Sequence, residues 1–579
     1  MFAKINYVFR YYPRKYYRDI EGQSLGIKIM SMKKIKLTVV FIMLLQLAFA
    51  GGILTNYNQS AQYTRMLSRN ASLGLDGVFY NPAGLVKLED GWHFYFSSQT
   101  IWQSREITSD FPLLNNGYYK GETFAPIFPD FYATYKKDKW AFSFGITPVA
   151  GGGTAEFTRG LPTFEIPISQ TKTLLADLGV QGYDVDLYFK GNSVFWGIQL
   201  GATYAINDKF SVYGGVRWIP AKNVYEGYIK NIQLNVGGSY VPAPAFLSQA
   251  SVTVNGYSQV AYSSANNLQQ LMDMGAGSMT LAQLETKGYI TSVERAQIEG
   301  GLQMLNVDQN MIDAMNVGEI QGTFTVVGDQ LSEKSQQLSQ NATKMKDRIV
   351  NTEQTGNSFI PIIGINYSPN DDWNFALKYE MKTFLTLDNK PKADNSYDLW
   401  KDEVNSDVPA IFTAGIGYSG LDWLEAQLSY NLYFDNRVDW GNNVNDVAVW
   451  GTVDPLKIRH RETDNNYYEL GLGLQFNLSE KFAVSVGGLR SKTGVTDSWQ
   501  NDLSYSNSSY TLGGGLMWGI TDKIKLDLGV SNTFYQDDEK VPFSYPGYPD
   551  MNGNPITSYS NTYAKSAFVV SAGLSISIF

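Results

Sequence analysis

Residues 424–435, LEAQLSYNLYFD, sort into two faces by alternation. Leu424, Ala426, Leu428, Tyr430, Leu432 and Phe434 lie on one face; Glu425, Gln427, Ser429, Asn431, Tyr433 and Asp435 lie on the other. Period two marks a strand, and one wholly apolar face against a polar one places lipid on one side and a wet space on the other. The split recurs in 193–204, 467–477 and 524–535. A soluble β-sandwich or propeller would bury such faces on a second sheet, and would not need an aromatic residue at so many strand ends.

Short turns join these strands in pairs. They read Lys136-Lys137-Asp138-Lys139-Trp140, Ile206-Asn207-Asp208-Lys209-Phe210, Ser368 to Trp373, Ser419-Gly420-Leu421-Asp422-Trp423, Leu478-Ser479-Glu480-Lys481-Phe482, and Thr521-Asp522-Lys523-Ile524. Asn, Asp, Ser and Gly reverse the chain, and the residue that follows re-enters the membrane interface. Strands are expected at 91–105, 128–137, 140–149, 193–204, 210–224, 359–367, 373–384, 409–419, 424–437, 467–477, 482–492, 510–520, 524–535 and 563–579. That makes fourteen, with six short turns, seven long loops and both ends on the short-turn side. An even count lets an antiparallel sheet close, which matters because an open edge in lipid leaves unpaired backbone groups at several kcal/mol each. The expectation is an all-β fold: a fourteen-stranded transmembrane barrel over 91–579.

Composition agrees. Aromatics at 14%, 54 glycines, 38 tyrosines and only 17% charged residues suit an outer-membrane barrel. No run past residue 50 approaches the roughly 18 apolar residues of a spanning helix. A net charge of −9 speaks against nucleic acid as a partner, and the absence of cysteine suits an oxidising compartment.

At the N-terminus, Met32-Lys33-Lys34-Ile35-Lys36, the apolar run Leu37–Leu47 and Ala48-Phe49-Ala50 form a signal-peptide pattern over 32–50. Translation is then expected to begin at Met32 or Met30, with 1–31 a start-site artefact. Residues 51–90 are too polar and Gly/Asn-rich for a membrane strand. They end in the apolar knot Val78-Phe79-Tyr80-Asn81-Pro82-Ala83-Gly84-Leu85, closed by an Asn-Pro turn. This segment reads as a plug for the barrel.

The loop 225–358 is anomalous. Thr280-x-x-Gln283 and Thr291-x-x-Glu294 are capping-box spacings that open short helices, and a more polar helix is expected over Asp329–Arg348. Leu302, Leu305, Met304, Met311 and Met315 would either pack these helices together or offer a greasy surface for ligand capture, since methionine adapts to varied shapes.

The sequence resembles the FadL/TodX family of outer-membrane transporters for long-chain fatty acids and other hydrophobic compounds. The likeness rests on Ser60-Ala61, Arg69-Asn70-Ala71-Ser72 and the knot through Leu85, on Phe144 to Thr154 with Pro148 and its glycines, and on the strand count; it spans 51–579. It implies an N-terminal hatch at Phe79, Tyr80, Asn81, Pro82, Ala83 and Gly84. It also implies a kinked third strand at Gly145, Pro148, Gly151, Gly152 and Gly153 that opens sideways into the membrane. Two departures bear on the ligand: the third loop is unusually large, and Pro148-Val149-Ala150 stands where many relatives have Pro-Phe-Gly. Proline lacks an N–H and three glycines pack nothing, so pairing should fail there. Expected partners are a long-chain fatty acid or other hydrophobic ligand, outer-membrane lipid and lipopolysaccharide, and the barrel-assembly machinery. Arg159 or Arg217 could meet a carboxylate.

The alternative is a haemin receptor, for which His93 and His460 are the only histidines. Catalysis is not expected: no Gly-x-Ser-x-Gly stands at a strand–helix turn, and neither histidine has a triad context. No cofactor or metal is expected either.

Overall fold

The computed structural model describes residues 54–438, 463–497, 499–536, 539–545 and 547–578. The signal-peptide run, the leading 31 residues, His460 and Phe579 lie outside them. Fourteen antiparallel strands close into a barrel. They are β1 (Gly91–Ser109), β2 (Tyr118–Lys137), β3 (Trp140–Phe157), β4 (Val180–Ala205), β5 (Phe210–Val236), β6 (Arg348–Tyr367), β7 (Trp373–Glu380), β8 (Ile411–Leu421), β9 (Leu424–Tyr433), β10 (Tyr467–Ser479), β11 (Phe482–Lys492), β12 (Ser509–Thr521), β13 (Ile524–Tyr535) and β14 (Ser558–Ile578). Four shorter strands, Ser239–Pro242, Thr386–Pro391, Glu403–Asn405 and Glu539–Ser544, extend the sheet beyond them. The barrel closes where β1 pairs with β14, from Trp92 opposite Ile578 to Ser109 opposite Asn561.

The alternation read from 424–435 is the inside–outside rule of the wall. Asn431 is 2% exposed and faces the lumen, while Leu428 is 41% exposed and faces out. Aromatic pairs collect on the outer surface beside the short turns: Trp92–Tyr135 at 4.8 Å, Trp140–Tyr204 at 4.7 Å and Trp373–Tyr418 at 4.7 Å between ring centroids. Such a girdle marks a membrane interface. No helix among the described residues is long and apolar enough to cross a membrane.

Several boundaries differ from the sequence expectation. β4 begins at Val180 rather than 193, β5 runs to Val236 and β6 begins at Arg348 rather than 359. The second loop therefore shrinks from 150–192 to 158–179, and the third from 225–358 to 237–347. The extra strand lengths pack against loop residues, as Phe189, Ile229 and Leu234 do with Leu247 and Leu338 in one apolar core. Buried contacts there fall on protein rather than lipid, so the clean alternation that betrays a membrane strand is lost. The loop between β11 and β12 turns in over the lumen: Trp499 and Tyr505 are buried and line its cavity.

The third loop is helical. The N-terminal segment carries α1 (Ala61–Met66) and α2 (Gly77–Tyr80), the second loop α3 (Pro162–Ser169), and the third loop α4 (Ala243–Leu271), α5 (Leu281–Thr286), α6 (Ser292–Met304), α7 (Gln309–Ala314) and α8 (Val317–Lys344). Both expected capping boxes form, with Thr280 and Gln283 opening α5 and Thr291 and Glu294 opening α6. The helix expected over 329–348 is longer and starts earlier, capped by Asn316 and Glu319. The 29-residue α4 has no counterpart in the sequence reading.

Candidate functional site

The segment from Tyr57 to Leu85 fills the lumen, and nearly all of it is buried. Ser60 caps α1 by accepting from the Tyr63 amide at 2.9 Å, and Leu67 at φ +55° ends the helix. Arg69 donates to both Asp76 oxygens, at 2.7 and 2.9 Å, and to Ser72 at 2.6 Å. Burial works against the Arg69 cation, but Asp76 outweighs it and holds the guanidinium more firmly protonated than usual. Tyr63 stacks on Tyr80 with centroids 5.2 Å apart, and Tyr57 meets Phe79 edge-on at 5.4 Å.

The wall grips this segment from many strands. Arg65 donates to Asp527 on β13 at 2.9 Å and to Gln475 on β10 at 2.6 Å. Asn70 reaches Asn431 on β9 at 2.7 Å, and Asn81 reaches Asn366 on β6 at 2.7 Å. Thr203 and Ser211 donate to the Pro82 and Ala83 carbonyls at 2.7 and 2.6 Å. Lys378 on β7 donates to the Phe79 carbonyl at 2.6 Å and to Glu380 at 2.8 Å, and Glu380 also accepts from Arg217. Where the segment lies closest, the wall carries glycine: a Cβ at Gly415, Gly471 or Gly487 would strike the backbone of Asn70, Leu67 or Met66. These lumenal glycines, which leave room for the plug backbone, were not singled out by the sequence reading. Their signal was present, as small residues on the polar faces of successive strands.

At the third strand the wall breaks. β2 and β3 pair at Glu122–Glu156 and again only from Phe131–Ile146 downward. β3 does not end at Pro148; it continues to Phe157 along β4, with bulges at Pro148–Ala150 and Ala150–Gly153. Gly151 and Gly153 take φ +88° and +73°, conformations that need glycine. Pro148 lacks a donor, and β2 contributes two more prolines in the gap, Pro126 and Pro129, which the sequence reading passed over. Gly145, lower on β3, faces Val78 and Tyr132. The plug is tied to the break: the Asn56 amide donates to the Val149 carbonyl at 2.8 Å, and the Gln59 side chain donates to the Pro148 carbonyl at 2.8 Å.

Above the plug is a cavity of about 480 Å³. Tyr57, Asn58 and Tyr63 form its floor, Thr123, Ala125, Gly151 and Gly153 belong to the broken wall, and Trp499 to Asn507 of the inturned loop roof it. Its lining is mixed: Ile101, Phe128, Phe195 and Leu489 are apolar, while Arg105, Glu469, Asp502 and Lys565 carry charge. A second cavity of about 590 Å³ shares Gln103, Thr123 and Ala567 with it and reaches the outward-facing Trp102, Phe124 and Phe568. Asp502 pins the roof, accepting from the Thr163 amide at 2.8 Å, from Tyr563 at 2.9 Å and from Asn561 at 3.1 Å. Burial still pushes its carboxyl above the usual range.

The remaining candidates are placed as follows. Phe79 to Gly84 lie buried on the plug. Leu302 is wholly buried among the helices of the third loop, with Leu305 and Met315 packed against the same core, whereas Met304 and Met311 are 86% and 61% exposed. Arg217 is taken by Glu380, and Arg159 sits 6.0 Å over the Tyr119 ring. His93 is buried, with one ring nitrogen 2.9 Å from Ser577 and the other 2.8 Å from the Glu89 carbonyl. Neither nitrogen is open to iron. No group of metal-ligating side chains occurs among the described residues.

No family model matches the sequence, and neither does any curated protein. Solved structures do match. The crystal structure of a Pseudomonas aeruginosa FadL homologue aligns over 91% of this chain and 99% of its own, at 11% identity and a TM-score of 0.50. The P. putida toluene transporter TodX aligns over 87% and 94%, at 12% identity and 0.46. The Ralstonia pickettii toluene transporter TbuX aligns over 91% and 99%, at 14% identity and 0.44. With its filled lumen and closed fourteen-stranded wall, the chain shares the β-barrel fold of that FadL homologue.

Proposed function

We propose that the protein admits hydrophobic small molecules through the outer membrane, long-chain fatty acids foremost. The third loop, facing the cell exterior with Met304 and Met311 exposed, captures the ligand. The ligand then enters the lumenal cavity, where the hatch at Phe79 to Gly84 bars the way down, and leaves sideways through the gap beside Pro148 and Gly151–Gly153. Membrane lipid and lipopolysaccharide surround the barrel, and the barrel-assembly machinery inserts it. The observation that carries this reading is the cavity itself, closed below by the plug and bordered by an unpaired stretch of wall.

The energetics favour such a route. An acyl chain of about a dozen methylenes gains roughly 10 kcal/mol on leaving water, at ~0.8 kcal/mol each. A water-filled pore would forfeit that gain; a cavity with an apolar stretch of lining that opens on the bilayer keeps much of it. Nothing in the sequence binds a nucleotide, so movement is diffusive.

Ser68 and Ser429 test the hatch, because their hydroxyls lie 2.8 Å apart and the chain has no cysteine. In the S68C/S429C variant, oxidation should cut oleate uptake by whole cells about tenfold, and reductant should restore it. Uptake indifferent to the crosslink would remove the hatch from the pathway.

A further inference from the structure

We infer that Arg490 and Lys492 hold the phosphate of an outer-leaflet lipid against the outside of the wall. The inference rests on the outer-membrane reading and adds a site remote from the lumen. On β11, Leu489 and Ser491 are buried and face inward, so alternation turns Arg490 and Lys492 outward. Across the outward faces of five successive strands, β9 to β13, these two are the only charged side chains. They stand eight and ten residues beyond Phe482 at the short turn, about 26 and 33 Å along a strand that rises ~3.3 Å per residue. At the usual barrel tilt that is about 20–25 Å across the membrane, the upper edge of the apolar band. The neighbouring strands carry aromatic rings beside them: Tyr510 lies opposite Arg490, Tyr468 opposite Lys492, and Phe534 opposite Tyr510. β11 thus interrupts an aromatic girdle with two cations.

Two residues apart on one face of a strand, the cations lie within about 7 Å of each other, and like charges repel more strongly where water is scarce. Cations on the outer face elsewhere in the wall are answered by carboxylates: Lys120 by Glu122 at 2.6 Å, Lys190 by Glu226 at 3.8 Å and Lys222 by Glu353 at 2.7 Å. The outward faces of β9 to β13 offer no carboxylate. A phosphate supplies the missing charge, since its oxygens match the fork of a guanidinium and accept the point charge of an ammonium. Toward the membrane centre the same patch turns apolar, with Val486, Leu470 and Leu512 exposed beneath the cations. A free phosphate would use only the upper half of this surface. A phosphorylated lipid uses both, its acyl chains on the aliphatic wall and its head group at the girdle.

The test titrates the full-length protein, in a non-ionic detergent, with bisphosphorylated lipid A and with the same lipid stripped of its phosphates, counting bound lipid by native mass spectrometry. Lipid A should bind about tenfold more tightly than the stripped form. R490Q/K492Q should bring lipid A down to the level of the stripped form, a loss of about tenfold or more for charge-assisted hydrogen bonds of ordinary size. K222Q, on β5, should change lipid A binding by less than twofold. Should R490Q/K492Q fail to assemble, as judged by heat-modifiable migration, K492Q alone carries the comparison, with a loss of about tenfold expected. Equal binding of the two lipids by the unaltered protein, or an undiminished preference in the variants, would overturn the site. Displacement of lipid A by inorganic phosphate would overturn its assignment to a lipid. Crosslink-sensitive uptake in S68C/S429C does not depend on this patch, so a missing lipid preference alone would leave the uptake reading standing. If the preference is missing and uptake also ignores the crosslink, both proposals fall.

Discussion

Glu380 lies buried between two cations, and one of them, Lys378, holds the plug by the Phe79 carbonyl. Replacing the carboxylate leaves Arg217 and Lys378 facing each other without compensation, a change that costs about 3–5 kcal/mol when a buried pair is broken. E380Q should therefore loosen the plug while leaving the wall closed, read as faster protease cleavage between residues 54 and 88 with unchanged heat-modifiable migration. Asp435 offers a pH test at the same scale. It sits in the turn after β9, 2% exposed, with one carboxyl oxygen unpartnered, and burial pushes its pKa up to about 8 against a free value of 3.8. The folded form thus keeps a proton that the unfolded chain releases, so the stabilisation is full below about pH 4 and is lost as pH rises to about 8. Unfolding midpoints should fall across that window, and D435N should flatten the part of the slope that Asp435 contributes. Asp435 could be placed on the polar face of 424–435, but its burial could not be read, and the cluster around Glu380 was not legible at all. Glu380 and Lys378 fall two apart within the expected strand 373–384, and nothing in that spacing reveals Arg217 on a different strand or the Phe79 carbonyl on the plug.

At the scale of elements, what could be read was what local rules write. Capping boxes at Thr280 and Thr291 need only four consecutive residues, and both formed. Alternation in 424–435 needs only that one side be lipid. The break in β3 was visible in Pro148 and Gly151–Gly153, yet Pro126 and Pro129 on the facing strand make it two-sided, and pairing between strands cannot be read from one of them. The long helix α4 escaped for a different reason. Its buried side is Leu247, Ser251, Ser258, Ala261, Ala265 and Leu268, spaced as a helix seam but built mostly of small residues that carry little hydrophobic signal. Its partner α8 answers in kind: Ser251 donates to the Ser335 carbonyl at 2.8 Å and Ser258 to the Gly328 carbonyl at 2.8 Å. Such a seam lets backbones approach closely and tolerates no bulk. S251L should overpack it by about 1–3 kcal/mol. The expected result is faster amide exchange along 243–271 and 317–344, with exchange in the barrel strands unchanged.

Across the whole molecule, two closures are stacked: a hydrogen-bonded cylinder that is complete without the plug, and a plug that cannot hold its shape without the cylinder. Strand pairing runs from β3 round through β14 to β1 and β2, interrupted by bulges and by the gap above Phe131. The plug's helices have six and four residues, far below what stands alone in water, and much of its hydrogen bonding goes to the wall. Removing residues 54–88 would expose lumenal groups that water can serve, among them Ser429, Asn431, Asn366 and Asp527, and would leave the Arg217–Glu380–Lys378 triad internally paired. The cost falls on the apolar contacts that the plug makes with Tyr95, Tyr132 and Ile362. The deletion variant should therefore still insert as a heat-modifiable barrel with a lower unfolding temperature. In planar bilayers it should conduct ions steadily where the intact protein does not. A deletion that never assembles would show instead that the plug is a folding core for the wall, and steady conductance by the intact protein would show that it does not seal the lumen.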